Sequence, residues 1–237
     1  AGNSIESGGN YNVAVGDEAG TAITTGDYNT VLGYVAGDAI TTGGENTFLG
    51  YNAGSSNVSS NYNTFVGSGA GASTTGSDST AVGRNAMTAN TTGINVAVGY
   101  RALDANTTGT SNTAVGHDAL GTNVAGDQSV AVGYEALLTQ NPSGNVDMNN
   151  VAVGYRALYA NTTGTQNIAV GSGTGDAVTT GTNNVFMGHN AGGATTTGGS
   201  NTAIGNLALT SNTTAAGNTA LGVNAMYANT TGANNTG

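Results

Sequence analysis

A five-residue phrase, Asn-(Thr/Val)-Ala-Val-Gly and its close variants, recurs along the chain and sets its pattern of apolar and polar positions. It begins at Asn12, Asn29, Asn46, Asn63, Ser79, Asn95, Asn112, Ser129, Asn150, Asn167, Asn184, Asn201 and Asn218, mostly at steps of 17 residues, and Asn235-Thr236 opens one copy more. Self-similarity at a short fixed period is the signature of a solenoid, in which each rung is too small to bury a face alone and stacking supplies the core. A rung of 17 residues has no room for a strand plus a helix, and its Gly and Thr content disfavours helix. The repeat therefore predicts an all-β fold, a parallel β-solenoid (β-roll) of about thirteen 17-residue rungs forming one array over residues 1–237.

Aligned rungs place like residues in columns, numbered here from the Asn or Ser that opens the phrase. Position four is always aliphatic or Met, from Val15 and Leu32 to Ile204 and Leu221. Side chains alternate along a strand, so positions two and four share a face. The expectation is that position four, with position two where it is Val or Ile, forms the core. Position three, mostly Ala but Val31, Phe48, Phe65 and Phe186 in four rungs, then faces outward as an apolar patch that needs covering by a partner chain. Position five is Gly in every rung, from Gly16 to Gly222, and marks a corner that needs positive φ or has no room for a Cβ. Thr-Thr-Gly, as at Thr24-Thr25-Gly26 and Thr230-Thr231-Gly232, marks a second turn. The rung that opens at Ser129 is longer than the rest, through an insertion over residues 140–149 that contains the sole proline, Pro142. Insertions in solenoids map to loops on one face, so this one reads as a surface bulge or as a binding loop.

Composition alone would suggest disorder, because Leu, Ile, Val and Phe supply only 39 of 237 residues. The columns resolve the conflict, since an aligned rung needs only a few large apolar residues. Thirteen acids face three arginines, Arg84, Arg101 and Arg156, with no Lys and a net charge of −10. Such a chain has no electrostatic footprint for nucleic acid or anionic lipid. Without Cys there is neither a disulfide framework nor a thiolate metal site. No apolar run approaches the roughly 18 residues of a membrane-spanning helix, so a soluble chain without membrane insertion is expected. The chain opens Ala-Gly-Asn, partway through a rung and without a signal peptide, and stops just inside another. The opening predicts a mature product or an excised piece, and the uncapped ends predict a piece of a longer array or copies that join end to end.

Candidate chemistry is sparse. His117 and His189 share position six but lie four rungs apart, roughly 19 Å at the strand spacing, so they cannot serve one metal or one triad. No catalytic, cofactor-binding or metal-binding residues are expected. Arg101, Asp118, Glu135 and Arg156 form a position-seven charge ladder in consecutive rungs, which fixes register or, between Asp118 and Glu135, offers a divalent cation fewer oxygens than it usually takes. Gly67-Ser68-Gly69-Ala70-Gly71 and Gly171-Ser172-Gly173-Thr174-Gly175 resemble phosphate loops but open no helix. Tyr34, Tyr51, Tyr100, Tyr134 and Tyr155 share position six, where they either stack between rungs or form a stripe for a sugar or a partner. With Phe48, Phe65 and Phe186 they are the candidate surface and assembly residues. Sequons at Asn57, Asn90, Asn106, Asn161, Asn212, Asn229 and Asn234 are glycan acceptors only on a glycosylating secretory route, and otherwise turn residues.

The phrases Asn95-Val96-Ala97-Val98-Gly99-Tyr100-Arg101-Ala102-Leu103 and Asn150-Val151-Ala152-Val153-Gly154-Tyr155-Arg156-Ala157-Leu158, each followed by Ala-Asn-Thr-Thr-Gly, resemble the head repeat of trimeric autotransporter adhesins. They are closer still to the repeat of tail-fibre and surface proteins of marine phages and bacteria. The resemblance implies a β-roll, commonly trimeric, that displays or spaces a receptor-binding surface outside a cell or on a virion. Adhesin heads, however, use shorter rungs. The expected function is thus a non-enzymatic structural or adhesive extracellular fibre segment, assembled as a homo-oligomer end to end into a filament or side by side into a trimer. A cell-surface glycan or receptor is the partner the resemblance implies. Two alternatives stand beside it: an ice-binding solenoid, motivated by the Thr-Thr ladder although that ladder breaks at Val58-Ser59 and Val124-Ala125, and a glycan-binding solenoid of the tailspike type.

Overall fold

The computed structural model describes residues 9–237, so the opening Ala1-Gly2-Asn3 lies outside the described residues. The described chain is all-β and divides into two compact units, Ala1–Asn112 and Thr113–Gly237. The first unit holds six strands, β1 (Val13–Val15), β2 (Thr30–Leu32), β3 (Thr47–Leu49), β4 (Thr64–Val66), β5 (Thr80–Val82) and β6 (Val96–Val98). Each pairs in parallel with the next, and the register sets phrase on phrase, Ala14 against Val31 and Phe48 against Phe65. The second unit holds β7 (Thr113–Val115), β8 (Gly126–Asp127), β9 (Val130–Val132), β10 (Val146–Asp147), β11 (Val151–Val153), β12 (Ile168–Val170), β13 (Val185–Met187), β14 (Thr202–Ile204) and β15 (Thr219–Leu221). There β7, β9, β11, β12, β13, β14 and β15 pair in parallel in that order, while β8 pairs with β10. Each unit is a parallel β-solenoid with a rung of about 17 residues, the fold that the repeat predicts.

Left-handed residues turn the corners. Around β9 these are Gln128 (φ 57), Glu135 (φ 53) and Leu137 (φ 51), and the same places in other rungs repeat the sign. An L-residue pays roughly 1 kcal/mol or more in this region, so the bonds from rung to rung must hold it there. At position five both sequence arguments for Gly apply. Gly16 has φ 133, and a Cβ on it would lie 2.5 Å from the carbonyl oxygen of Gly33 in the next rung.

The faces of the strands are the reverse of the expectation. Position three points inward: Val31, Phe48, Phe65, Ala81, Ala97, Ala131, Ala152 and Phe186 are fully buried. Positions two and four point outward, with Leu32, Leu49, Met187, Ile204 and Leu221 among the exposed large apolar residues. The coil is too narrow for a bulky aliphatic at every strand position that faces inward, so small residues line it. Phe48, Phe65 and Phe186 are therefore core and not surface, and the position-three patch proposed for a partner chain does not exist.

Volume is balanced between positions three and nine in most rungs. Where position three is Phe, position nine is Gly: Phe48 with Gly54, Phe65 with Gly71, Phe186 with Gly192. Where position three is Ala, position nine is commonly Leu or Met, as in Ala81 with Met87, Ala97 with Leu103 and Ala131 with Leu137, and these large residues are fully buried. The reason is steric. A Cβ on Gly54 would sit 2.6 Å from the Phe48 ring, and one on Gly192 would sit 2.7 Å from the Phe186 ring. Phe48 and Phe65 also stack face to face, with ring centroids 4.9 Å apart.

Position one forms a buried amide ladder. Asn29, Asn46, Asn63, Asn150, Asn167, Asn184, Asn201 and Asn218 are fully buried. Asn184 Nδ2 donates across its own rung to the Gly198 carbonyl at 2.9 Å, and its Oδ1 accepts the backbone N–H of Asn201 at 3.0 Å. One side chain thus closes its rung and ties it to the next. The rung that begins at Ser129 lacks this Asn, and the buried Gln140 replaces it, meeting Ser129 Oγ at 3.1 Å and accepting from Asn150 Nδ2 at 2.9 Å. The insertion that follows is held to the body, since Met148 is fully buried and Val146–Asp147 pairs with Gly126–Asp127.

Candidate binding surface

With the interior occupied by Ala, Leu, Phe and Asn, any binding chemistry belongs to the outward columns. At position six, Tyr34 stacks on Tyr51 with centroids 5.9 Å apart, and His117, Tyr134 and Tyr155 stack in series at 5.1 and 5.5 Å. The guanidinium of Arg84 lies 4.4 Å over the ring of Tyr100. Within each stack the facing sides of the rings cover one another, and the outer edges meet solvent. This geometry favours rung-to-rung stacking over sugar recognition, which uses the ring face. A second stack that the columns did not single out joins Tyr11 and Tyr28, 5.0 Å apart and 6° from parallel.

Of the charge ladder, the structure brings Glu135 and Arg156 together at 3.4 Å. Arg101 Nε donates to Asp104 in its own rung at 3.0 Å, and Asp118 lies 2.9 Å from His117 Nδ1. All four ladder residues have positive φ, which places them on a corner. Half-exposed pairs of this kind contribute at most about 1 kcal/mol each. The Glu135 carboxylate, hydrogen-bonded to the Tyr134 hydroxyl, pushes that phenol above its ordinary value. Burial raises the carboxyls of Asp38 and Asp176 above the ordinary range, against the Arg156 charge in the case of Asp176. Among the described residues no three His, Asp or Glu side chains gather as they would around a metal ion. His117 follows β7 and His189 follows β13, so the two histidines are as separated as the columns imply.

The Thr-Thr turn divides its labour. The first hydroxyl donates to the next rung's backbone: Thr24 to Thr41, Thr162 to Thr179 and Thr179 to Thr196, at 3.1 to 3.2 Å. The second is presented to solvent, as at Thr163, Thr180, Thr197, Thr214 and Thr231 in successive rungs. Asn57, Asn90, Asn106, Asn161 and Asn212 just before this turn are fully buried, as a turn residue requires and a glycan acceptor does not allow. In Asn161 and Asn212 the amide donates to the carbonyl three residues on, at 2.9 and 3.0 Å. The two Gly-Ser-Gly stretches form ordinary corners, and Gly71 packs against the Phe65 ring. No helix among the described residues is long and apolar enough to cross a membrane. Comparison with protein families, with curated proteins and with solved structures returned no match to this chain.

Proposed function

We propose that the chain is a non-enzymatic structural or adhesive segment of an extracellular fibre, on a cell surface or a virion. The observation that carries the reading is the division of side chains just described. Inward columns and the first Thr column are used to hold rung to rung, and the outward columns of the strands, positions two and four, repeat Thr or an aliphatic residue from rung to rung. A repeating surface suits spacing, display and contact with other copies. The sequence resemblance to adhesin-head and tail-fibre repeats supports the same assignment, with a homo-oligomer as the assembled form and a surface glycan or receptor as the target. Negative-stain microscopy of the purified chain at dilute and high concentration tests it, together with a cell-retention assay. Fibres or multi-copy bundles at high concentration, or retention on cells, are expected. Single copies or bare pairs at every concentration, with no fibres and no retention on cells, overturn it.

A second reading, ice binding, is favoured by one observation, the unbroken column of exposed threonines Thr163, Thr180, Thr197, Thr214 and Thr231 on a scaffold with little charge. Measurable thermal hysteresis at micromolar protein would establish it, and normal ice growth would dismiss it.

A further inference from the structure

The outward face of the strands is an apolar surface outside the core. In the second unit, β7, β9 and β11 to β15 present positions two and four in two columns made only of Thr, Val, Ile, Met and Leu. Ile168, Met187, Ile204 and Leu221 remain 36 to 69% exposed there. Seven rungs at about 4.8 Å each give a strip about 34 Å long. Two columns with their overhang make it about 15 Å wide, so a copy offers about 500 Å² and two copies together about 1,000 Å², the lower edge of specific interfaces.

We propose that this strip is the docking surface for a second copy of the same chain, sheet face against sheet face. Charge is the first argument. The chain carries −10, yet neither column holds a charged residue, and Asp118, Asp127, Glu135, Asp147 and Asp176 all lie outside them. A second copy is repelled elsewhere and meets no opposing charge here. Pitch is the second argument. Only a partner with the same rung rise keeps side chain against side chain along the strip, and an identical chain has that rise by construction. A face that binds its own copy gives a closed two-fold pair, in which each residue's contact is reciprocated. The small area sets the strength: the pair is a weak, concentration-dependent dimer. The proposal deepens the fibre reading by naming a lateral contact, and rests on that reading only for its biological use.

Sedimentation equilibrium of the whole chain from about 1 µM to about 1 mM tests it. The wild type is expected to pass from one copy to two within that range. The Ile168→Lys/Met187→Lys variant should shift the midpoint upward at least tenfold, while Thr180→Lys, exposed on the second turn, should leave it unchanged. Circular dichroism checks that each variant is folded. If the Lys pair does not fold, Ile168→Thr/Met187→Thr takes its place, because Thr already occupies position two of other rungs and has the β-branched shape of the Val at position four of others. A wild type that stays single throughout, or a face variant that dimerises like the wild type, overturns the proposal. So does a Thr180→Lys variant that disrupts association equally. Single copies that are still retained on cells refute this contact and leave the fibre reading standing, whereas dimers without fibres or retention do the reverse.

Discussion

Exchanging the residues at positions three and nine in one rung tests whether the core is a balance of volumes. Phe48 is fully buried, stacks on Phe65 and lies against Gly54. Phe48→Ala alone should cost about 3 to 5 kcal/mol through lost burial and a cavity. Gly54→Leu alone should cost at least about 2 to 3 kcal/mol, because its Cβ would start 2.6 Å from the Phe48 ring, and the left-handed backbone (φ 60) adds about 1 kcal/mol. The double variant rebuilds the pairing of Ala97 with Leu103, in which Leu103 holds the same left-handed place at φ 51. It should fall within about 2 kcal/mol of the wild type, the residue being the lost ring stack and the corner strain. The expected coupling is then at least about 3 kcal/mol. Guanidinium unfolding followed by circular dichroism, with amide exchange at β3 as a local probe, measures it, because a repeat array can open by parts. A double variant as unstable as the sum of its singles would refute the volume argument.

Asn184→Leu should destabilise by about 3 kcal/mol or more, since it strands the buried Gly198 carbonyl and the Asn201 N–H, and a melt compared with wild type reads the loss. Gly133→Ala should prevent stacking at that corner, where a Cβ would overlap the Gly154 carbonyl, whereas Gly144→Ala meets nothing within 4 Å and should be neutral or slightly stabilising by thermal melt. Asp38 has a carboxyl raised by burial, so its contribution is complete below the ordinary value of 3.8 and is lost as pH rises through the folded value. Asp38→Asn should therefore match wild type near pH 3 and exceed it at pH 7, by less than about 1 kcal/mol because solvent screens the site, in melts at the two pH values. Thr179→Val, which removes a donor to the Thr196 carbonyl, should cost about 1 kcal/mol, whereas Thr180→Val should cost almost nothing in the same melt.

The period, the parallel stack and the Gly corner were legible because each is a property of repetition, visible in one sequence as a column. The direction of the side chains was not. The strand Thr80-Ala81-Val82 is apolar in both parities, and size misleads there, since Val82 is the larger residue and Ala81 the buried one. The deciding signal was present but lay six residues away, in the trade of Phe48 for Gly54 against Ala97 for Leu103. The Asn column was visible too, yet Asn is mostly a surface residue, and only the bond from Asn184 to Gly198 shows why it is inside. Tyr134 and Tyr155 were correctly placed in one column, but whether a ring offers its face or its edge depends on the stacking distance, 5.5 Å here, which no sequence prints.

The same distinction decides where binding can occur. A column whose polar groups bond to the next rung is committed to the stack: Asn184 to Asn201, Thr179 to Thr196. A ring column whose faces are stacked is largely committed as well. Three kinds of outward surface remain less engaged, namely the aliphatic columns of the strands, the second Thr of the turn, and the outer edges of the tyrosines. The aliphatic columns repeat at the rung rise, so a contact made once there is available again about 4.8 Å further on. Weak single contacts then add along the array, which is how a surface with little charge and no convergent site can still hold a partner of the same pitch.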